Sequence, residues 1–538
     1  MHCEARYLIG VDVGSASARA GVFNAQGTLL SHAKHNITIF HGTAQVIEQS
    51  GNEIWQAVCH AVREAVTLSG IDPAEVASLS FDATCSLVVV GEDGVPLPVS
   101  TGGEPERNII MWMDHRATKE ADYINSTGHP LLKYVGNRVS PEMEMPKLLW
   151  LKTHNPDTFS RAWQFFDLTD YLTWRATGDL ARSLCTLTCK WNYPSHKKKW
   201  DKDYLHTIGL SPFVEEDFFR IGQRIIEPGT PCGNGLNAEA AAGLGLPEGT
   251  AVAAGLIDAH AGGVGSLGAA PSPDVTLVYV FGTSSCTMTS TRAPAFVPGV
   301  WGPYFSAMMS GLWLNEGGQS AAGAAIDRLA EMHPAASEAT TRATEAGVPL
   351  PVYLANEALK RADTLSATVR LASHLHIVPE FSGNRAPLAD PYARAVIAGL
   401  GMERDVDSLI ALYVAGICSL GYGLRQIIEA QAENGINTAR IVICGGAGQH
   451  PLVRQLVADT CQLPVLTSQS EEPVLLGSAM LAAVAGGLYA SLPEAVQSMT
   501  SPGRAYLPDV DAEAIHARRY QAFTLLQQTA KTIRDEML

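Results

Sequence analysis

The chain has 538 residues, of which 46% are hydrophobic and 17% charged, a composition typical of globular α/β proteins. At about 150 residues a domain, two or three domains fit this length. The formal net charge is −16, so the chain as a whole repels nucleic-acid backbones and anionic membranes. These values argue against collagen, coiled coil, disorder and nucleic-acid binding. Any bound phosphate must be held by local geometry or by a metal.

The ten cysteines, among them Cys3, Cys59, Cys189 and Cys444, are scattered singly and form no C-x-x-C pair. We predict that they are reduced core residues. The N-terminus has no apolar segment with a cleavage site, and apolar runs such as residues 479–485 are shorter than the roughly 18 residues that a membrane span needs. The sequence therefore predicts a cytoplasmic protein that does not enter a membrane.

The first forty residues predict a β-meander. The first strand ends at Val13, a tight turn covers Gly14 to Ser17, and the second strand runs through Phe23. A third strand follows a turn at Gly27. The meander therefore has a first turn that is rich in hydroxyl groups.

Apolar periodicity predicts helices further along the chain. Ile54, Val58, Val62 and Val66 recur every four residues on one helical face. A long helix is expected from a cap at Asp405 or Asp407 to a left-handed turn at Asn434-Gly435. Further helices are predicted at residues 145–153, at residues 168–176 and, on the surface, in the C-terminal tail that carries Ile515, Phe523 and Leu526.

The pattern of the N-terminal meander returns about 270 residues later. The segment VTLVYVFGTSSCTMTS again predicts a strand, a turn with small hydroxyl residues and a second strand. Two such halves indicate an internal duplication. We place the boundary between Gly265 and Asp274, which divides the chain into domains 1–268 and 269–538.

Both hairpin turns offer backbone N–H groups and hydroxyls that can surround phosphate oxygens. Asp12, at the end of the first strand, can hold the Mg²⁺ that accompanies such oxygens. A hairpin whose aspartate only caps its own turn is the alternative, and the second, similar turn makes it less favourable. The candidate phosphate-binding residues are Gly14, Ser15, Ser17, Gly282, Thr283 and Ser284.

A glycine loop follows the buried strand ARIVIC. Glycines let the backbone approach a flat ligand where side chains would collide. A plain strand-to-helix turn is the alternative, and the glycines alone favour it. The candidate nucleotide-binding residues of this loop are Gly445, Gly446, Ala447 and Gln449.

Asp258 ends the apolar run that starts at Ala251, where a carboxylate is costly to bury unless it is paired or used. Such a carboxylate can take the proton of an attacking hydroxyl. Other polar residues lie in apolar or aromatic settings, and each one singly is more often a structural hydrogen-bonding group. Together they supply the donors and acceptors that a polyhydroxylated substrate requires: Asp82, Asp114, Lys190 and Glu316.

Several tempting motifs are rejected. Gly263, Gly265 and Gly268 fit G-x-G-x-x-G, but no acidic residue follows at the spacing of a dinucleotide site, so we predict that these glycines let a helix pack closely. The chain has no P-loop motif, and neither H-E-x-x-H nor clustered Cys and His residues argue for zinc. His115, His260 and His450 are interpreted as structural or supporting residues rather than catalytic ones.

An ordered series of segments lies within about residues 7–488: GVDVGSASARAG, SFDATCS, MWMDHRA, SPEMEMPKLLWLK, AAGLIDAHAG, FGTSSC, GNRAPLADP, the long helix, and then CGGAGQHP with EEPVLLGSAMLAA. In this order they resemble the FGGY carbohydrate kinases, a branch of the actin and sugar-kinase superfamily. The resemblance implies a two-domain α/β, actin-like (ribonuclease H-like) fold with an interdomain cleft, and it implies ATP and Mg²⁺ as nucleotide and cofactor.

The resemblance also implies roles for the candidate residues. Asp258 takes the place of the catalytic base, Lys190 and Glu316 those of sugar-contacting residues, and Asp12 lies at the first phosphate hairpin. The amino-acid sequences of these segments are most similar to those of pentulose and pentitol kinases of the ribulokinase type. The implied reaction is ATP-dependent phosphorylation of a terminal hydroxyl, with D-ribulose as the first choice of substrate. L-ribulose, ribitol and xylulose are the alternative substrates.

Two other classes of protein share this fold. One is a sensor that binds sugar or nucleotide without catalysis, and the intact Asp258 and hairpins argue against it. The other is an actin-like filament or chaperone, for which the sequence offers no supporting segment. The expected partners are thus a small sugar and ATP, and the base rate for soluble oligomers favours a homodimer.

Overall fold

Two mixed β-sheets form the centres of the two halves of the chain in this computed structural model, which describes residues 6–43, 45–270, 272–372 and 374–537. Cys3 lies outside these residues. The strands of the first half are β1 (Tyr7–Val13), β2 (Ser17–Asn24), β3 (Leu29–Asn36), β4 (Phe40–His41), β5 (Ile47–Gln49), β6 (Val76–Ala83), β7 (Leu87–Val90), β8 (Ile109–Ile110), β9 (Gln164–Asp167), β10 (Arg182–Ser183), β11 (Ile225–Ile226) and β12 (Ala251–Ile257). Its helices are α1 (Gly51–Ser69), α2 (Thr118–Ser126), α3 (Glu144–His154), α4 (Pro156–Arg161), α5 (Leu168–Thr177), α6 (Leu184–Lys190), α7 (Lys202–Thr207), α8 (Ser211–Glu215), α9 (Ala238–Leu244) and α10 (Asp258–Leu267).

The second half has the same mixture of elements. Its strands are β13 (Thr276–Phe281), β14 (Ser285–Thr291), β15 (Trp301–Phe305), β16 (Trp313–Gln319), β17 (His376–Val378), β18 (Val396–Ala398), β19 (Arg440–Cys444), β20 (Val465–Ser468) and β21 (Pro502–Tyr506). Its helices are α11 (Gly323–Glu331), α12 (Ala336–Glu345), α13 (Leu350–Leu359), α14 (Val406–Glu433), α15 (Pro451–Cys461), α16 (Pro473–Ala485), α17 (Leu492–Met499) and α18 (Val510–Met537).

The five strands of the first central sheet match five of the seven strands of the second, in the order β20-β19-β13-β14-β16. The first runs β12-β6-β1-β2-β3, and the second runs β15-β16-β14-β13-β19-β20-β21. In each sheet an antiparallel hairpin, β1–β2 or β13–β14, pairs through its first strand with a parallel strand, β6 or β19. This shared order is what the predicted internal duplication requires. A smaller sheet, β4-β5-β8-β7-β9, accompanies the first one, and the sequence had not indicated it.

The predicted helices lie where apolar periodicity placed them. Ser50 caps α1 by accepting a hydrogen bond from the Glu53 N–H, and Gly70 ends the helix in the left-handed conformation, with φ of 71°. Its apolar stripe, which includes Ile54 and Val58, is buried. Packing of such a stripe supplies most of the stability of a helix of this length.

Helix α14 is long and apolar enough to cross a membrane by length and composition alone. However, 78% of its most apolar window is buried inside the protein. Asp405 caps it by accepting from the Ser408 N–H, and Gly435 follows with φ of 88°, as the sequence predicted. Its apolar composition therefore serves the core of the second half.

Helices α10 and α16 cross at glycines. A Cβ atom on Gly265 would overlap the carbonyl oxygen of Pro473, and one on Gly477 would overlap that of Ala261. The prediction that the glycines of α10 serve close helix packing is confirmed. Helix α16 also packs against β1, where a Cβ on Gly10 would overlap the Leu475 carbonyl. A helix of the second half thus lies against the central sheet of the first.

Candidate active site

A cleft of about 550 Å³ lies between the two halves and is lined by residues of both. Its walls include the turns of both hairpins, so these turns face one space. Ten of the predicted site residues line it: Asp12, Gly14, Ser15, Ser17, Lys190, Asp258, Gly282, Thr283, Ser284 and Glu316.

Strand geometry brings Asp12 and Asp258 to the same edge of the first sheet. Strands β1, β6 and β12 are parallel neighbours, and their carboxyl ends meet where ligands bind in open α/β sheets. Asp12 lies near the end of β1, and Asp258 follows β12 directly as the first residue of α10. Burial, and then the charge of Asp12, raise the pKa of Asp258 to about 6, although the Ala259 N–H donates to its Oδ1 at 2.7 Å.

Each hairpin turn is closed by a hydrogen bond from the N–H of its first glycine, across four residues in the first turn and three in the second. The Gly14 N–H donates to the Ser17 carbonyl at 3.0 Å, and the Gly282 N–H donates to the Ser284 carbonyl at 3.0 Å. A Cβ on either glycine would meet nothing nearer than 3.7 Å, so the space beside each turn is open. The geometry of both turns therefore leaves room for a ligand group against the backbone.

The oxygen ligands offered by Asp12 and by the hydroxyls of the two turns fit Mg²⁺. The carboxylate of Asp12 lines the same cleft as hydroxyls from both turns, and Mg²⁺ takes oxygen ligands and retains several waters. Arg19 donates to Oδ2 of Asp12 through Nε at 2.8 Å and through Nη2 at 2.5 Å. This pair fixes the carboxylate at the edge of the cleft, where Asp12 is the residue suited to hold the ion.

Lys190 and Glu316 line the cleft and form a buried polar group with His260 behind them. The Lys190 ammonium lies 3.8 Å from Oε1 of Glu316, and Nε2 of His260 lies 3.1 Å from its Oε2. Burial alone would raise the pKa of Glu316, but Lys190 and His260 lower it to about 2. Glu316 in turn holds the pKa of Lys190 above its usual range against the opposite effect of burial. The pair therefore presents a fixed cation and a fixed anion to the cleft.

The structure corrects two of the predicted sugar contacts, because Asp82 and Asp114 do not line the cleft. Asp82 is fully buried, and Oδ2 accepts a hydrogen bond from the Ser478 hydroxyl of α16 at 2.5 Å. Asp114 is also fully buried and accepts from the Ile47 N–H at 2.6 Å and from Nε of Arg116 at 2.9 Å. Burial and then the charge of Asp12 raise the pKa of Asp82, so this carboxyl lies close to Asp12 although it does not line the cleft.

The predicted nucleotide loop lies beside the second hairpin. Strands β13 and β19 are parallel and paired, so Gly445 and the residues after it emerge next to Phe281. Gly445 has φ of 92°, and a Cβ there would collide with the Phe281 carbonyl. A Cβ on Gly446 would meet nothing within 4 Å, so its neighbourhood is open. Gly445, Gly446, Ala447 and Gln449 extend this edge and do not line the central cleft.

Sequence reasoning gave no role to several residues that line the cleft. Glu142 lies 3.9 Å from the Arg385 guanidinium, and Arg385 stands 5.9 Å from the ring centroid of Trp301. Nζ of Lys190 lies 4.5 Å from the same ring. Burial would raise the pKa of Glu142, but Arg385, His115 and Lys190 lower it to about 2.

A second set of unpredicted residues lies nearer the first turn. Arg19 and Lys34 line the cleft, and so does Trp112, whose Nε1 donates to the Ser15 hydroxyl at 3.0 Å. Trp112 stands two residues before Asp114, and Glu142 and Arg385 belong to the segments SPEMEMPK and GNRAPLADP. These motifs could therefore have drawn attention to Trp112, Glu142 and Arg385, but they do not show which of their residues line the cleft.

The nine cysteines that the structure describes are free, and six of them are buried. The prediction that they are reduced is confirmed for these nine. Cys85 and Cys286 line the cleft, and burial raises the pKa of both thiols above the ordinary range. These two are therefore weak nucleophiles.

Family models match most of the chain. The model of the N-terminal domain of the FGGY family of carbohydrate kinases matches residues 7–265, and that of the C-terminal domain matches residues 277–486. The chain therefore belongs to the FGGY family of carbohydrate kinases, and it is an ATP-dependent sugar kinase.

Individual relatives agree with the family. The chain is 43% identical to a zebrafish (Danio rerio) FGGY carbohydrate kinase domain-containing protein, covering 98% of each chain. It is 39% identical to a D-ribulokinase of Saccharomyces cerevisiae, covering 90% of this chain and 72% of the relative. A solved xylulose kinase of Lactobacillus acidophilus has the same fold, with a TM-score of 0.80 at 20% identity, over 99% of this chain and all of that one. The expected two-domain sugar-kinase fold is confirmed.

Proposed function

We propose that the protein phosphorylates the terminal hydroxyl of a pentulose with ATP, and that D-ribulose is its preferred substrate. The observation that carries this proposal is one cleft lined by both hairpin turns, by Asp258 and by the Lys190–Glu316 pair, in which the charges of Asp12 and Lys190 both act on the pKa of Asp258. The similarity to a D-ribulokinase along most of the chain favours D-ribulose over L-ribulose, ribitol and xylulose.

The sugar end of the cleft supplies charged hydrogen-bonding groups against an aromatic wall. Lys190 and Arg385 donate, Glu142 and Glu316 accept, and Trp301 offers an apolar face. Hydrogen bonds to charged groups discriminate strongly, because an analogue that lacks the matching hydroxyl leaves a buried charge unpaired. This set therefore suits a small polyol and disfavours an apolar ligand.

The phosphate end must hold a triphosphate although the chain is anionic overall. Hydroxyls of the two turns, and backbone N–H groups other than those of Gly14 and Gly282, can receive phosphate oxygens, and Arg19 and Lys34 line the same cleft. When bound, Mg²⁺ neutralises charge on the phosphates, and Asp12 is the residue that would hold it. The loop from Gly445 to Gln449 then receives the adenosine, since it continues this edge of the cleft.

Asp258 performs the proton chemistry in this account. Its carboxylate lies at the N-terminus of α10 and faces the space between the two ends of the cleft. It orients the hydroxyl of the sugar and accepts its proton late, since phosphoryl transfer passes through a loose transition state. The hydroxyl oxygen bonds to the γ-phosphorus while the bond from that phosphorus to the β–γ bridging oxygen breaks, the proton passes to Asp258, and ADP leaves. Because both halves contribute walls, closure of the cleft would expel water that competes with the sugar.

A panel of pentuloses and pentitols tests this function. ADP release is measured with D-ribulose, L-ribulose, D-xylulose and ribitol, and kcat/KM is compared. We expect D-ribulose to exceed each of the others by about tenfold or more, and we expect hardly any ADP without sugar. A rate that is equal with and without sugar would favour an actin-like ATPase, and sugar binding without ADP release would favour a sensor. Either result contradicts the proposal, as would a preference for another sugar.

The setting of the enzyme follows from the same proposal. The small molecules that it binds are a sugar and ATP. We also propose that it works in the cytoplasm. A homodimer is the expected state in solution from base rates alone.

A further inference from the structure

Three soft metal ligands meet behind the sugar end of the cleft. Cys185 and Cys189 are four residues apart in α6, so they share one helical face, and His260 stands on α10. Their ligand atoms all lie within 4.8 Å of one another, and the Cys185 sulfur is 3.1 Å from Nδ1 of His260. All three side chains are buried. The cluster is therefore a preformed group and does not arise from chance surface neighbours.

The distances fit a common metal ion. With Zn–S of about 2.3 Å and Zn–N of about 2.0 Å, ligand atoms around a tetrahedral ion stand roughly 3.5 Å apart. No two of the three ligand atoms are more than 4.8 Å apart. No separation between them must therefore change by more than about 1 Å to match a tetrahedral ion. Shifts of this size are within the reach of side-chain torsions.

The second nitrogen of His260 is already occupied in the manner of a metal-binding histidine. Nε2 lies 3.1 Å from the Glu316 carboxylate, which accepts its hydrogen. A histidine that binds a metal through one nitrogen almost always donates the other N–H to a carboxylate or carbonyl, which fixes the tautomer and the ring. In that tautomer Nδ1 carries a lone pair, and this nitrogen lies 3.1 Å from the Cys185 sulfur and within 4.8 Å of the Cys189 sulfur.

We propose that Cys185, Cys189 and His260 bind one thiophilic metal ion, Zn²⁺ or Cu⁺. Two thiolates and an imidazole select soft or borderline metals and exclude the oxygen-preferring Mg²⁺ and Ca²⁺. The site differs from the Mg²⁺ position at Asp12, which lies at the phosphate end of the cleft. The sequence concealed it, because His260 lies 71 residues after Cys189 and neither spacing matches a familiar zinc motif.

The ion would cross-link the elements that carry the sugar-binding residues. Helix α6 ends with Lys190, α10 begins with Asp258, and His260 connects the ion to Glu316 of β16. A metal bridge between α6 and α10 therefore fixes the positions of these three side chains relative to one another. This consequence rests on the proposed function, whereas the metal site itself does not.

Metal content tests the site on resting protein without sugar or ATP. The full chain, without a histidine tag, is produced in medium with Zn²⁺, and separately with Co²⁺ as a spectroscopic substitute or loaded anaerobically with Cu⁺. We expect about one ion per chain with at least one of these metals by mass spectrometry of the element. With Co²⁺, thiolate-to-metal charge-transfer absorption should appear. Folded protein without stoichiometric metal in all three preparations overturns the proposal.

Variants locate the ion. Cys185→Ala and Cys189→Ala should each reduce metal content at least tenfold, whereas Cys418→Ala, which removes another buried free cysteine, should leave it unchanged. Equal metal in all three variants contradicts the site. If the first two variants fail to fold, X-ray absorption of the wild-type protein decides, because two sulfur ligands and one imidazole support the site and an oxygen-only shell refutes it. A failed sugar assay would leave these readouts unaffected, so the two proposals fail separately.

Discussion

The guanidinium of Arg19 donates a hydrogen bond to Glu472 at 2.6 Å, although 453 residues separate them in the chain. The same side chain holds Asp12 through two further hydrogen bonds. Arg19 belongs to the first hairpin, and Glu472 directly precedes α16. One arginine therefore ties the proposed metal-holding carboxylate to the helix that packs between the two halves.

Removing Arg19 should cost more stability than removing its second partner. Asp12 is only 4% exposed, so Arg19→Met leaves a buried carboxylate without its cation and should lower the free energy of unfolding by about 2 kcal/mol. The Glu472 side chain is 24% exposed, and Glu472→Gln should cost less than about 1 kcal/mol. Urea unfolding measures both changes. The exposed Arg161, which pairs only with Asp157, supplies a control variant, Arg161→Met. Equal losses of unfolding free energy in all three variants would contradict the stabilising role that we assign to Arg19.

Lys190 should affect the binding of sugar much more than that of ATP. Lys190→Met removes the charged donor beside Glu316 and should raise the KM for the preferred sugar by about 10- to 100-fold, as expected for loss of a hydrogen bond to a charged group. The KM for ATP should change little. Lys197→Met is the control, since that side chain is half exposed on a distant turn. The role assigned to Lys190 is wrong if its substitution leaves the sugar KM at the wild-type value.

His516 should make the protein less stable in acid. Burial, and then Arg519 and Arg425, lower the pKa of this imidazole to about 4, whereas an unfolded histidine titrates near 6.5. Between these values the unfolded chain binds the proton and the folded chain does not. The stabilising contribution is therefore complete above about pH 6.5 and is lost as the pH falls towards 4, by up to about 3 kcal/mol.

A substitution isolates this contribution. In His516→Gln the free energy of unfolding should fall less steeply between pH 6.5 and 4.5 than in the wild type, as followed by urea titrations at several pH values. His32→Gln, which replaces an exposed histidine, should retain the wild-type slope. Parallel slopes in all three proteins would show that His516 does not carry the effect.

Local sequence was sufficient to predict that Asp12 and Asp258 lie at strand ends beside the cleft. Asp258 was predicted because a carboxylate ends an apolar strand, and Asp12 because one precedes a hydroxyl-rich turn. Both predictions depend only on residues that are adjacent in sequence, so a window of about ten residues was enough to make them. The glycine crossing of α10 was predictable for the same reason, since small residues at helical spacing allow backbones to approach.

The direction of a side chain was not predictable in the same way. Asp82 and Asp114 are polar residues in apolar segments, as is Asp258, but Oδ2 of the first accepts a hydrogen bond from Ser478 of the other half and the second accepts from Arg116. The first of these partners comes from a remote helix. Arg385 and Glu142 reach the cleft from loops whose motifs did not show which members face the cleft. Non-local packing decides these positions, and a sequence window does not contain it.

The rate of ADP formation by Asp258→Asn tests the account most directly. The substitution keeps the shape of the side chain but removes the group that accepts the proton of the sugar. At saturating ATP and sugar we expect kcat to fall by about 100-fold or more, the usual worth of a general base, while the urea midpoint changes little. Asp157→Asn, at an exposed carboxylate, should retain wild-type kcat. A folded Asp258→Asn protein that turns over sugar at the wild-type rate would contradict the account.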